Sequence, residues 1–203
     1  MDEDDINEKN LLAEYGRFIS FFEMTCFALR LNIKFLIFNK SNFTSPEIEN
    51  LNNILLEGLT AEPLAKKFLG LFVFRFPDDK NGISITKKLF DVFTQNIIPI
   101  RNSLSHGLTS FKYNIENMSS LEMNQFSLTH PKITSKGLEM RHKIISLDNL
   151  KLLNENMKEY NFILSIIQFM KEDGENSSNQ EANEIIDKIG KLKFKLEEIK
   201  ISD

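Results

Sequence analysis

A chain of 203 residues with 41% hydrophobic content can bury one proper core, and this length fits one domain with an appendage better than two full domains. Its single cysteine, Cys26, excludes a disulfide framework and, set in an apolar helical rhythm, reads as packing rather than as a nucleophile. The net charge of −4 hides an asymmetry: residues 80–143 hold nine Lys or Arg against four Asp or Glu, and the remainder holds sixteen against twenty-five. The start, Met1-Asp2-Glu3-Asp4-Asp5, is acidic where a secretory signal is basic, and charge interrupts every apolar stretch before it could span a bilayer. The expected location is the cytoplasm, with no membrane partner.

In chain order, Tyr15, Phe18, Ile19, Phe22, Cys26, Leu29, Ile33 and Leu36 recur at spacings of three and four, which predicts a long helix over 8–39. Glu14, Arg17, Glu23 and Arg30 lie off that stripe, and Glu23 reads first as a solvated or ion-paired glutamate and second as an auxiliary polar group of the catalytic cleft. Thr44-Ser45-Pro46-Glu47 is a helix start, with a cap residue and a proline in the first turn, leading to a short helix through Leu56. A third helix is expected over 61–76, ended by the turn-rich run Pro77-Asp78-Asp79-Lys80-Asn81-Gly82. The fourth, over 84–106, carries Leu89, Phe90, Val92, Phe93, Ile97, Ile98 and Ile100, with Pro99 predicting a kink shortly before its end.

That helix closes with Arg101-Asn102-Ser103-Leu104-Ser105-His106 and stops at Gly107. Breaking a phosphodiester by attack of the ribose 2′-OH requires a group that moves protons and a cation that holds the charge growing on the phosphate, which are the capacities of histidine and arginine. At 3.6 residues per turn, positions five apart stand about 140° from each other, so Arg101 and His106 do not share one face. Asn102 and His106 do, as do Arg101 and Ser105, so the asparagine is placed to orient the imidazole. Two copies meeting across a two-fold axis would bring both arginines and both histidines into one cleft, and the motif therefore argues for a homodimer. The competing reading is a helix C-terminus in which Asn102 and His106 satisfy backbone carbonyls.

After the motif, Phe111 to Ile115, Phe126 to Thr129 and Leu138 to Ile145 alternate or run β-prone, with a turn at Ser135-Lys136-Gly137, predicting a small β element over about 109–146. A further amphipathic helix is expected from Asp148, as cap, to about Lys171, with Leu150, Leu153, Met157, Tyr160, Ile163, Leu164, Ile167 and Met170 inward. Residues 173–180 read as a polar linker. Over 181–203, Ile185, Ile189, Leu192, Leu196 and Ile199 follow the seam pattern of a coiled coil, expected to dimerise, to dock a partner such as an antitoxin, or to fold back on the bundle. Lys87, Lys88, Lys112, Lys132, Lys136, Arg141 and Lys143, around the motif, are either ordinary solvated cations or steer a polyanion to it; no residue is assigned to RNA binding. His130 and His142, twelve apart with no cysteine nearby, lack the spacing of a zinc site, and neither a phosphate-cradling glycine loop nor a nucleophile elbow occurs. No metal and no cofactor is expected.

The motif Arg101, Asn102 and His106, late in an apolar helix of a helical chain, resembles the HEPN superfamily, whose ribonuclease members carry an arginine, a polar residue and a later histidine in a four- or five-helix bundle. The opening helix, with Glu23 and Arg30 set in Phe22-Glu23-Met24-Thr25-Cys26-Phe27-Ala28-Leu29-Arg30, is similar to HEPN sequences of the abortive-infection and toxin type. The resemblance covers the architecture of residues 8–172 and implies a mainly α, antiparallel helical bundle over 1–172, with a small β insertion after the motif helix and a C-terminal helix. It implies a metal-independent endoribonuclease with Arg101, Asn102 and His106 as catalytic residues and RNA as substrate, acting as a toxin or phage-defence effector. The alternative is a catalytically silent HEPN-like module that binds RNA or a protein partner.

Overall fold

The computed structural model of the protein describes residues 3–38, 44–107, 125–134, 137–172 and 178–199. It is a mainly helical bundle of α1 (Glu3–Phe38), α2 (Ser45–Leu56), α3 (Ala61–Arg75), α4 (Lys80–Val92), a π-helical segment (Phe93–Ile97), α5 (Ile98–Gly107), α6 (Leu147–Glu172) and α7 (Asn179–Lys191), with strands β1 (Gln125–Thr134), β2 (Gly137–Ser146) and β3 (Glu197–Ile199). The expected strand at Phe111 to Ile115, the turn residues Ser135 and Lys136, and most of the linker lie outside the described residues. The chain divides into two compact units. One comprises Met1–Phe21, Pro99–Met157 and Lys193–Asp203, the other Phe22–Ile98 and Lys158–Leu192.

In the first unit, β1 and β2 form an antiparallel hairpin, in register from Gln125 opposite Ser146 to Thr134 opposite Gly137, and β3 adds to the free side of β2 with Ile199 opposite His142. Ile145 is fully buried, as are Phe18, Leu150 and Met157, and Leu11, Leu104 and Leu153 are nearly so. The cap of α6 is Ser146, whose hydroxyl accepts the Asn149 N–H at 3.1 Å. The expected cap, Asp148, lies instead in the first turn, where its charge suits the positive end of the helix dipole.

The C-terminal segment departs from the expected continuous helix over 181–203. Helix α7 ends at Lys191, and the residues beyond it run extended into β3. The reason is legible in Lys191-Leu192-Lys193-Phe194-Lys195-Leu196, whose period is two: Phe194 and Leu196 are buried while Lys193 and Lys195 are not. Two side-chain amides of α6, seven residues apart and so on one face, hold this segment, Asn156 donating to the Lys193 carbonyl at 2.8 Å and Asn149 to the Lys195 carbonyl at 3.3 Å. Ile185 and Ile189, expected in a coiled-coil seam, are buried within the protein itself.

In the second unit, α7 lies against α4 and α4 against α3. Ser178 caps α7 by accepting the Glu181 N–H, and Glu181 in turn accepts from the Ser178 N–H and hydroxyl. The same reciprocal box opens α2, where the Glu47 carboxylate accepts from the N–H of Thr44 at 2.8 Å and its hydroxyl at 2.7 Å. These bonds hold both carboxyls below their ordinary range. The interior is an aromatic column: Phe93 stacks on Phe22 at 5.7 Å and on Tyr160 at 6.0 Å between ring centres. The buried Tyr160 hydroxyl donates to the Leu89 carbonyl at 3.1 Å, and Thr25 donates to Asn161 at 2.6 Å. Among the described residues no helix is long and apolar enough to cross a membrane.

Candidate functional site

Pro99 explains the backbone that leads into the motif. Inside an α-helix a proline has no N–H to give, and its ring collides with the carbonyl four residues earlier. Here the five residues ahead of the junction form the π-helical segment, and the Ile98 N–H reaches back to the Phe93 carbonyl instead of the one a residue later. The wider turn accommodates the proline, so the expected kink takes the form of a π segment. Side chains supply donors to the carbonyls at the α-to-π transition: Thr94 donates to the Phe90 carbonyl at 2.9 Å, beside the Tyr160 bond to Leu89.

Helix α5 then carries the motif. Its ten residues include Ile100 and Leu104, both buried, which fix its inward face. Arg101 stands beside that face, half-buried, with its Nε out of water's reach. Its Nη1 donates to the Oδ1 of exposed Asn102 at 3.4 Å, a long and therefore weak bond. Asn102 thus has a bond to the arginine, where its helical spacing predicts one to the imidazole. His106 lies in the last turn of α5, and its side chain is outside the described residues. By helical spacing Asn102 falls on the side away from Leu104, while Arg101 lies at its edge.

The two residues singled out on the opening helix have other surroundings. Glu23 is exposed. Arg30 is half-buried and donates to the Leu59 carbonyl at 3.2 Å, bracing the turn after α2 where Gly58 adopts a φ of 71°. This is the left-handed conformation that glycine takes without strain at a helix end. Arg30 therefore serves the frame of the second unit.

A polar cluster in the first unit escapes sequence reading. Asn154, only 1% exposed, donates from Nδ2 to the Glu14 carbonyl at 3.0 Å and to its carboxylate at 2.6 Å, joining α6 to α1. The other Glu14 oxygen takes the Arg17 guanidinium at 2.8 Å. The available signal is Asn154 adjoining Leu153 within the apolar rhythm of α6, where a buried amide demands a partner.

Comparison of the chain with protein-family models, with curated proteins and with solved structures finds no match in any of the three.

Proposed function

We propose that the protein is a metal-independent endoribonuclease of the HEPN type, a cytoplasmic toxin or phage-defence effector that cuts RNA at the composite site of a homodimer. The observation that carries this reading is the half-buried Arg101 at the edge of the packed face of α5, bonded to Asn102, on the helix that also holds His106. A guanidinium beside the packed face of its helix supplies the cation that a phosphorane-like transition state requires. In this mechanism His106 takes the 2′-OH proton or protonates the leaving 5′-oxygen, Arg101 holds the charge on the non-bridging oxygens, and Asn102 orients them. Attack by the 2′-oxygen leaves a 2′,3′-cyclic phosphate on one product and a 5′-hydroxyl on the other.

Incubation with mixed RNA in EDTA tests the proposal. Wild type is expected to cut and leave cyclic-phosphate ends, and folded Arg101→Ala and His106→Ala are each expected to lose at least about a hundredfold in rate. Cleavage retained by both variants would place the activity elsewhere. RNA affinity without cleavage would favour the silent binding module.

A further inference from the structure

Within the second unit, α1 buries one apolar stripe and exposes another. Phe22, Cys26, Leu29, Ile33 and Leu36 are buried, whereas Met24, Phe27 and Leu31 are 54%, 62% and 41% exposed. Spaced by three and four, these last three fall within about 60° of one another on the side opposite the core, with half-buried Ala28 and Phe35 adjoining them. The outward face of a bundle helix is ordinarily polar, and large apolar side chains clustered there mark a contact surface. Its charges are asymmetric. Glu23, Arg30 and Lys34 stand within about 40° of one another on one flank of the stripe, the acid toward the N-terminal end and both cations toward the C-terminal end. Among the described residues neither Glu23 nor Lys34 makes an ion pair. Arg30 spends one donor on the Leu59 carbonyl and, as a guanidinium, has others.

We infer that the exposed stripe of α1 docks the same stripe of a second copy of the chain, antiparallel about a two-fold axis. The charge order selects this occupant. In a parallel pair each flank meets the opposite flank of the other helix, and Glu23 finds no cation there. In an antiparallel pair like flanks meet, N-terminal half against C-terminal half, so Glu23 of each copy comes against Arg30 and Lys34 of the other. The axis that sets Glu23 midway between those two cations falls between Phe27 and Ala28. It lays the Phe27 ring of one copy on the small Ala28 of the other, and Met24 against Leu31, so a large side chain meets a small one at the centre of the contact. One surface thereby supplies both halves of a self-complementary interface, and the inference does not depend on the RNA reading.

The test is sedimentation equilibrium on the full chain. Wild type is expected to dimerise, and Phe27→Asp, which sets two carboxylates beside the axis, to raise the dimer Kd about tenfold or more. Glu23→Lys is expected to weaken the dimer about threefold, and addition of Lys34→Glu to the same chain to restore it, because the pair is then exchanged rather than broken. Phe74→Asp, at an 83% exposed position on α3, controls for loss of any exposed aromatic ring and is expected to change the Kd less than about twofold. Circular dichroism checks each fold, and the Glu23 and Lys34 exchange carries the test if Phe27→Asp fails to fold. A monomeric wild type, a Kd unchanged by Phe27→Asp, equal weakening by Phe74→Asp, or a Glu23→Lys defect that Lys34→Glu does not relieve overturns the inference. The readout is mass, so the outcome is separate from whether Arg101 and His106 cut RNA. A dimer that survives Phe27→Asp and still cuts would leave the catalytic reading standing and strike this one.

Discussion

Gly82 shows how a single position fixes the start of α4. Its N–H donates to the Asp79 carboxylate at 3.0 Å, and a methyl group there would overlap that carboxylate and press on the Phe72 ring at 3.1 Å. Gly82→Ala, which raises intrinsic helix propensity, is nonetheless expected to destabilise the protein by about 1–2 kcal/mol through disruption of the cap, measured by urea titration. Tyr160 makes a pH prediction. Burial, and secondarily Cys26, raises its pKa well above the ordinary value. The neutral phenol is the form the fold accepts, so its contribution is complete below about pH 10, where an unfolded tyrosine begins to ionise, and fades as pH rises further. Tyr160→Phe should cost about 1 kcal/mol near neutrality by leaving the Leu89 carbonyl without that donor, yet flatten the alkaline decline in melting temperature.

At the scale of elements, what the sequence discloses follows from how local each signal is. The period of α1, the helix start at Thr44 to Glu47 and the β-prone runs at Phe126 to Thr129 and Leu138 to Ile145 depend on residues within a turn or a strand of one another, and all three appear where expected. The end of α7 differs from expectation because Ile189, Leu192, Leu196 and Ile199 satisfy a helical spacing while Leu192, Phe194 and Leu196 satisfy a strand spacing, and only packing decides between them. The π segment is legible only as a proline-induced distortion, and the Glu14 to Asn154 link not at all, since it joins residues 140 apart in the chain. For the motif, the sequence supplies Arg101 and His106 and their angular separation; the bond from Arg101 to Asn102 needs coordinates. The two periods of the C-terminal segment predict opposite outcomes. Phe194 is outside the helical seam but buried in the strand-like one, so Phe194→Ala should cost about 3–5 kcal/mol. Lys193→Ala, outside the core, should stay within about 0.5 kcal/mol. Equal, small effects in chemical denaturation would restore the continuous helix.

For the whole molecule, the claim that matters most is that Arg101 of one copy works with His106 of another. On an ideal helix, at about 100° per residue, positions five apart stand about 140° from each other, and the proposed site on one helix face is therefore proposed to be completed by a second copy. The direct measurement is single-turnover RNA cleavage in EDTA by wild type, by Arg101→Ala, by His106→Ala, and by the two variants unfolded, mixed in equal amounts and refolded together. The expected result is activity in wild type, loss in each variant alone, and partial recovery in the mixture, because about half the dimers are mixed and each of those keeps one arginine and one histidine in the shared cleft. A mixture as inactive as its components, beside an active wild type, would contradict the shared site, and an inactive wild type would contradict the enzyme.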